Sequence, residues 1–321
     1  MSWKIQSDRR KKREIRKTYG ATLEELILEG KDVIACDADL VGSSGADNIF
    51  EKYPEHCVNF GICEQNMIAG ASAMSRLGYK PFVHSFSPFV SRRVMDQVYI
   101  SAAFSQTDLH IFASEPGYWS QYNGATHTTF EDLAIMKTIP GVTVAAPSDA
   151  VTFRWLMRYY AEHGGVIYNR CTRRNIPLLY EDDSGFEIGR SNLLRKGSDV
   201  LIIAEGAAVN DALNAAENLE KIGISTSVID LFFIKPMDHA LIDAEINAHK
   251  LVVTVENHNI HGGVGEQIGA EIALTGAHCG FRMLGVQDRF SQVGTVDYLK
   301  ALFHISQADI ENVIKEYFRK L

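Results

Sequence analysis

Residues 57–86, CVNFGICEQNMIAGASAMSRLGYKPFVHSF, decide the fold. Cys57–Phe60 reads as a short strand and Lys80–Phe86 as a longer one, both apolar in character. Between them Glu64–Arg76 reads as a helix, with a carboxylate at its start and a small, apolar face that includes Met67, Ile68 and Ala71. Strand, helix, strand in this order predicts parallel pairing, because the helix carries the chain back to the same edge. The pattern continues on both sides. Asp32–Cys36, Leu109–Ser114, Val142–Ala146 and Val166–Asn169 are further strand-like runs, and Pro88–Phe104 and Ser148–His163 are further helix candidates. Ser148-Asp149, just after Pro147, supplies a helix cap.

Residues 181–198, EDDSGFEIGRSNLLRKGS, are polar with three glycines and read as a linker. A second alternation follows, with strands at Val200–Ala204, Ser225–Leu231, Leu251–Glu256 and Phe281–Val286. Helices are predicted at 208–221, 238–247 and 264–274, and two more helical stretches close the chain. The expected class is α/β: two three-layer αβα domains, 12–185 and 190–321, each a mostly parallel sheet with helices on both faces.

Composition agrees with this organisation. The chain has 321 residues, 46% hydrophobic and 22% charged, enough for two ordinary domains with ample core. No apolar run approaches the ~20 residues that span a bilayer, and the charged start, Met1–Lys17, lacks the apolar segment of a signal peptide. Five cysteines without CxxC spacing argue against a disulfide framework or zinc site and for a cytoplasmic protein. A net charge of −8 makes nucleic acid an unsuitable partner. Arg9–Lys17 carries seven basic residues and one acid. It reads as an anion-binding arm or, in preference, as the solvated face of an opening helix that continues through Tyr19, Leu23, Leu26 and Ile27.

Open α/β sheets bind ligands at the carboxyl ends of their strands. Asp37, Asp39, Glu64, Phe86, Phe89 and the segment Gly117–His127 therefore draw notice, since each follows a strand-like run. For Glu64 alone, a partner to the helix dipole is an equal reading. For His127 alone, a satisfied loop histidine is favoured. The glycine loop from His261 to Gly269 is spaced GxGxxxG from Gly263 and lies late in the chain, so tight strand-to-helix packing is favoured over a nucleotide site. His258 and His261 lack neighbours at metal-ligand spacing, and no metal ligands are assigned to this chain.

Several motifs occur together and in order: GICEQ (61–65), KPFVHSFSPFVSRRVMDQV (80–98), NGATH (123–127) and IPGVTVAAPSD (139–149). This order resembles the pyrimidine-binding domain of transketolases and their deoxyxylulose-phosphate synthase relatives. VVTVENHNIHGGVGEQI (252–268) and GVQDRF (285–290) resemble the C-terminal domain of the same family. The resemblance runs from about residue 12 to 321 and implies thiamine diphosphate as cofactor, with Mg²⁺.

By that resemblance Glu64 is the carboxylate that hydrogen-bonds the cofactor's pyrimidine ring and favours its imino tautomer. Phe86 and Phe89 match the aromatic wall on which that ring stacks. Asp39 matches an acid that reaches the cofactor across a subunit interface. His127 matches a histidine near the substrate oxygens, able to donate to an alkoxide or move a proton. Arg173 and Ser43 match positions that hold the substrate's terminal phosphate, a surface ion pair being the other reading of Arg173. Asn123 stands where the family usually has an Asp that contacts a substrate hydroxyl. Glu115 stands where many members have a phosphate-binding histidine. A carboxylate there would repel a phosphate dianion, which puts the usual pentose phosphates in doubt.

The family's GDG segment followed by Asn, which holds magnesium, does not occur in this sequence. The implied function is the C-terminal subunit of a two-chain transketolase, inactive alone, that moves a two-carbon ketol unit from a ketose with an anionic end to an aldose. The implied partner is an N-terminal subunit carrying the diphosphate and Mg²⁺ site, in an α₂β₂ assembly. A β subunit of a 2-oxo-acid dehydrogenase first component, a deoxyxylulose-phosphate-synthase-like enzyme and a scaffold without catalysis are the competing readings.

Overall fold

The computed structural model describes residues 2–320. They form two compact units. One holds the chain up to Pro116 together with Ile135–Glu187; the other holds Gly117–Ala134 and the chain from Ile188 onward. The segment Gly117–Ala134, expected within the first domain, is thus part of the second unit. Its own apolar side chains explain this. Tyr118 and Phe130 are buried, the Tyr118 amide donates to Asn257 Oδ1 at 3.0 Å, and the Asn259 amide donates to the Phe130 carbonyl at 2.8 Å.

In the first unit the strands are β1 (Lys12–Glu14), β2 (Val33–Asp37), β3 (Cys57–Asn59), β4 (Lys80–Phe86), β5 (Leu109–Ser114), β6 (Val142–Ala145), β7 (Val166–Cys171) and β8 (Asn175–Pro177). The main sheet runs β6-β7-β5-β4-β2-β3 in this unit, every pair parallel. All residues of β2, β5 and β7 are buried, the near-continuous burial that two helical layers impose. The helix Glu64–Arg76 has the expected bounds. The helix Ala150–His163 is capped by Asp149, whose Oδ1 accepts from the Val151 and Thr152 amides at 3.0 and 2.9 Å.

Two expectations need correction. The basic run does not open a helix, because Lys12–Glu14 pairs antiparallel with Asn175–Pro177 and the helix begins only at Ile15. Backbone pairing with a distant strand has overridden the local preference, and Arg13 forks onto Asp182 at 2.6 and 2.9 Å. Nor is Pro88–Phe104 one helix. Turns run to Val94, Met95–Gln97 is a single α turn, and Val98–Phe104 is π-helical. Serine hydroxyls compete for the backbone there: Ser87 donates to the Ser114 carbonyl at 2.8 Å and Ser91 to the Ser87 carbonyl at 2.6 Å.

The second unit holds β9 (Asn192–Arg195), β10 (Val200–Ala204), β11 (Thr226–Asp230), a short β12 (Phe233–Lys235), β13 (Leu251–Asn259) and β14 (Gly280–Val286). Its sheet runs β14-β13-β10-β11-β9, parallel except for β9 at the edge. β9 lies inside the stretch read as linker. Asn192 and Leu194 face inward in alternation, a short period-2 signal that the surrounding glycines masked. Helices Ala208–Glu220, His239–Ala248, Val264–Thr275, Val296–Leu302 and Gln307–Arg319 complete this unit. Among the described residues, no helix is long and apolar enough to cross a membrane.

Candidate active site

In the first unit β2, β4, β5 and β7 are neighbours in the sheet, and their carboxyl ends bring Asp37, Phe86, Glu115 and Arg173 to one edge. Glu64 is the first residue of its helix and only 2% exposed. One carboxylate oxygen accepts from Arg93 Nη1 at 2.6 Å, and the other lies 3.5 Å from the Ser85 hydroxyl. The helix terminus favours a negative charge at that position. The same Arg93 guanidinium lies over the Phe89 ring at 4.1 Å, and the Arg173 guanidinium over the Phe86 ring at 5.3 Å. Phe86 and Phe89 stand 6.3 Å apart with their planes tilted by 41°. Glu64, Phe86 and Phe89 are therefore brought together, with Arg93 as the link. Sequence reading missed Arg93, although the pair Arg92-Arg93, three residues on from Phe89, was a visible signal.

Behind Glu64 a buried polar relay ties the strands. His84 Nδ1 lies 3.0 Å from Asp37 Oδ2, and His84 Nε2 lies 3.0 Å from Ser114 Oγ. Nδ1–H donating to Asp37 leaves Nε2 to accept from the Ser114 hydroxyl. With all three side chains buried, this relay fixes the register of β2, β4 and β5 around Glu64. Asp37, flagged from the sequence as a possible ligand, is committed here instead.

Glu115 follows β5 directly and is 1% exposed. It accepts from Arg173 Nε at 2.8 Å and from Thr172 Oγ1 at 2.8 Å, and Arg174 Nε lies 3.1 Å from the same oxygen that Arg173 uses. Arg173 is therefore in an ion pair that is buried at the carboxylate and one-fifth exposed, at 20%, on the arginine side. Asp39 is exposed on the turn after β2, with its amide donating to Asn59 Oδ1 at 3.1 Å. Ser43 is half-buried, its amide donating to the Leu40 carbonyl at 2.7 Å.

Asn123 and His127 belong to the second unit. Asn123 is exposed, whereas His127 is half-buried with Nδ1 2.8 Å from the Thr126 hydroxyl. Gly117 anchors their loop. Its φ is +54°, and a Cβ there would lie 2.0 Å from Asn257 Oδ1, so only glycine fits. The late glycine loop carries its own anion. Glu256 accepts from the Val264 and Gly265 amides at 2.6 and 3.0 Å, filling the helix N-terminus that a nucleotide phosphate would need.

A cavity of about 700 Å³ lies elsewhere in the first unit, lined by Arg13, Arg154, Trp155, Arg158, Tyr159 and Asp182 among others and by none of the expected site residues. Among the described residues no three His, Cys, Asp or Glu side chains gather as a metal ion needs. The residues present do fit the pyrimidine half of thiamine diphosphate: a buried carboxylate, held on one oxygen by Arg93 and more distantly on the other by Ser85, beside two aromatic rings.

Comparison with known proteins agrees with this geometry. Residues 11–177 match the family "Transketolase, pyrimidine binding domain" and residues 189–310 match "Transketolase, C-terminal domain". The chain is 36% identical over 304 residues to a 6-deoxy-6-sulfo-D-fructose transketolase subunit of Clostridium sp. strain MSTE9, covering 94% of each chain. It is 31% identical to the 1-deoxy-D-xylulose-5-phosphate synthase of Heliobacterium modesticaldum, over 93% of this chain and 46% of that one. A solved structure described as "Split gene transketolase, inactive beta4 tetramer" superimposes with a TM-score of 0.84 at 30% identity, covering 94% of this chain and 97% of that one. The chain belongs to the transketolase family.

Proposed function

We propose that this chain is the pyrimidine-binding and C-terminal subunit of a two-chain, thiamine-diphosphate-dependent transketolase. The observation that carries the reading is the buried Glu64 carboxylate set beside Phe86 and Phe89 at the carboxyl ends of a parallel sheet. Similarity over nearly the full length of a split-gene transketolase chain supports it. When bound, thiamine diphosphate would supply the nucleophilic carbon chemistry that ketol transfer requires. Glu64 would hold a proton at the pyrimidine nitrogen, and the two phenylalanines would fix the plane of that ring. His127 would donate to the substrate oxygens, with Asn123 contacting a hydroxyl. Arg173 and Ser43 would hold the anionic end of the sugar, and Asp39 would contact the cofactor. Mg²⁺ and the diphosphate would be held by a separate N-terminal subunit in an α₂β₂ cytoplasmic assembly.

The test is reconstitution. The chain alone should show no ketol transfer from ketose to aldose, and adding a subunit that carries the GDG…Asn segment, with thiamine diphosphate and Mg²⁺, should restore it. Transfer by the isolated chain would refute the two-chain reading. The synthase reading, supported by the 31% identity to a deoxyxylulose-phosphate synthase, predicts instead that the assembly condenses pyruvate with an aldehyde.

A further inference from the structure

We propose that Glu115 sets the end-group specificity of the substrate, so that the site takes a sugar ending in a monoanion, a sulfonate or a carboxylate, in preference to a phosphate dianion. This rests on the reading of the chain as a transketolase subunit with Arg173 at the anionic end of the sugar. Glu115 sits at the tip of β5 and Thr172-Arg173-Arg174 at the tip of β7, and the parallel pairing of Ser114 with Cys171 places them side by side. Arg173 gives its Nε to Glu115 at 2.8 Å, and among the described residues no hydrogen bond takes its two terminal nitrogens. Those nitrogens form the fork that binds a tetrahedral or planar oxyanion.

The charge count follows from these contacts. Two guanidiniums and one carboxylate leave a net charge of +1 at the two strand tips. A monoanion brings that cluster to neutrality. A dianion leaves one negative charge uncompensated beside a carboxylate that is 1% exposed and poorly screened. Glu115 is also held in the left-handed backbone region, at φ +54°, which a non-glycine side chain adopts at a cost. The ion pair to both arginines and the Thr172 hydroxyl bond hold it there. A carboxylate kept in that conformation, at the position where the family resemblance implies a phosphate-binding histidine, acts on the anion that Arg173 receives.

The experiment uses the reconstituted two-subunit holoenzyme and three ketoses: fructose 6-phosphate, its 6-deoxy-6-sulfo counterpart, and neutral fructose. At pH 7.5 the KM for the sulfonate should be about tenfold below that for the phosphate. As pH falls toward 5.5 the phosphate takes up its second proton, with a pKa near ~6, and the two KM values should converge. The sulfonate, a monoanion throughout, controls for every protein group facing the end-group, namely Glu115, Arg173, Arg174 and Thr172. Glu115→Gln should lower the KM for phosphate about tenfold relative to sulfonate. The pH series on the unaltered enzyme gives the answer should that variant fold poorly. A preference for phosphate at pH 7.5, or a ratio unmoved by both pH and Glu115→Gln, would overturn the proposal. Turnover of all three ketoses without discrimination defeats it while leaving the transketolase reading intact. Failure to turn over any ketose defeats that reading, and calorimetric binding of the same two anionic ketoses then decides the end-group preference by itself.

Discussion

Each unit buries a glutamate at the start of a helix, and the two are used in opposite ways. In the second unit Glu256 reaches from β13 to the helix Val264–Thr275 and accepts backbone amides on both oxygens, at 2.6 and 3.0 Å. Gly263 is required there, because a Cβ would lie 2.0 Å from Glu256 Oε2. In the first unit Glu64 belongs to the helix it starts and caps none of its amides. It is held by the side chain of Arg93, which is 41% exposed, and lies 3.5 Å from the Ser85 hydroxyl. A carboxylate bonded to backbone donors is committed to the fold. One held by a long, partly solvated side chain can exchange that partner for a ligand, because the Arg93 guanidinium, 41% exposed, can turn to water while a backbone amide cannot. Burial alone does not separate the two; the nature of the donor does.

The contrast can be broken most sharply at Glu64. Glu64→Gln in the two-subunit assembly should lower the rate of ketol transfer by about 10²–10⁴-fold, and destabilise the chain by only about 1 kcal/mol, because the Gln amide oxygen can still accept from Arg93. Steady-state kinetics beside denaturant unfolding read both numbers, and full activity would remove Glu64 from the catalytic assignment. Glu256→Ala should do the reverse. Loss of two charge-assisted bonds should destabilise the second unit by about 3 kcal/mol, with specific activity of the folded fraction unchanged. A drop in kcat without a loss of stability would contradict the structural role given to Glu256.

The smallest expected effect separates the units by pH. His110 is wholly buried on β5, with the Phe82 and Tyr160 rings at 4.9 and 5.4 Å, and burial pushes its pKa from 6.5 down to about 3. The unfolded chain then binds a proton that the folded chain refuses between these two values. Stability therefore falls as pH drops from about 6.5 toward about 3. His110→Phe should make the fall of melting temperature with pH in that window shallower. An unchanged slope would mean that other groups carry the acid lability.

Much of the fold was legible because it is written in local periodicity. The helix Glu64–Arg76 and the strands Lys80–Phe86, Leu109–Ser114 and Val200–Ala204 have the bounds their apolar patterns predict. The misreadings have two causes. At Lys12–Glu14 and Asn192–Arg195 a distant strand supplied hydrogen bonds that outweighed a basic or glycine-rich local composition. At Ser87–Val94 serine hydroxyls displaced the regular helical ladder.

The candidate site divides along the same line. Sequence by itself determined the class of fold, the order of most of its strands and helices, and, through ordered motifs, the family and the identities of Glu64, Phe86, Phe89, His127 and Arg173 as residues to examine. Only the tertiary structure decided their partners. Glu64 meets Arg93 across 29 residues, His84 meets Asp37 across 47, and Arg173 meets Glu115 across 58. Glu115, a reason from sequence to doubt a phosphate-ended substrate, became a buried counter-ion that sets the charge of the arginine pair. Hydrophobic periodicity is a property of neighbours in the chain, whereas an ion pair between two strand tips depends on which strands lie side by side. That adjacency is fixed by packing the whole sheet.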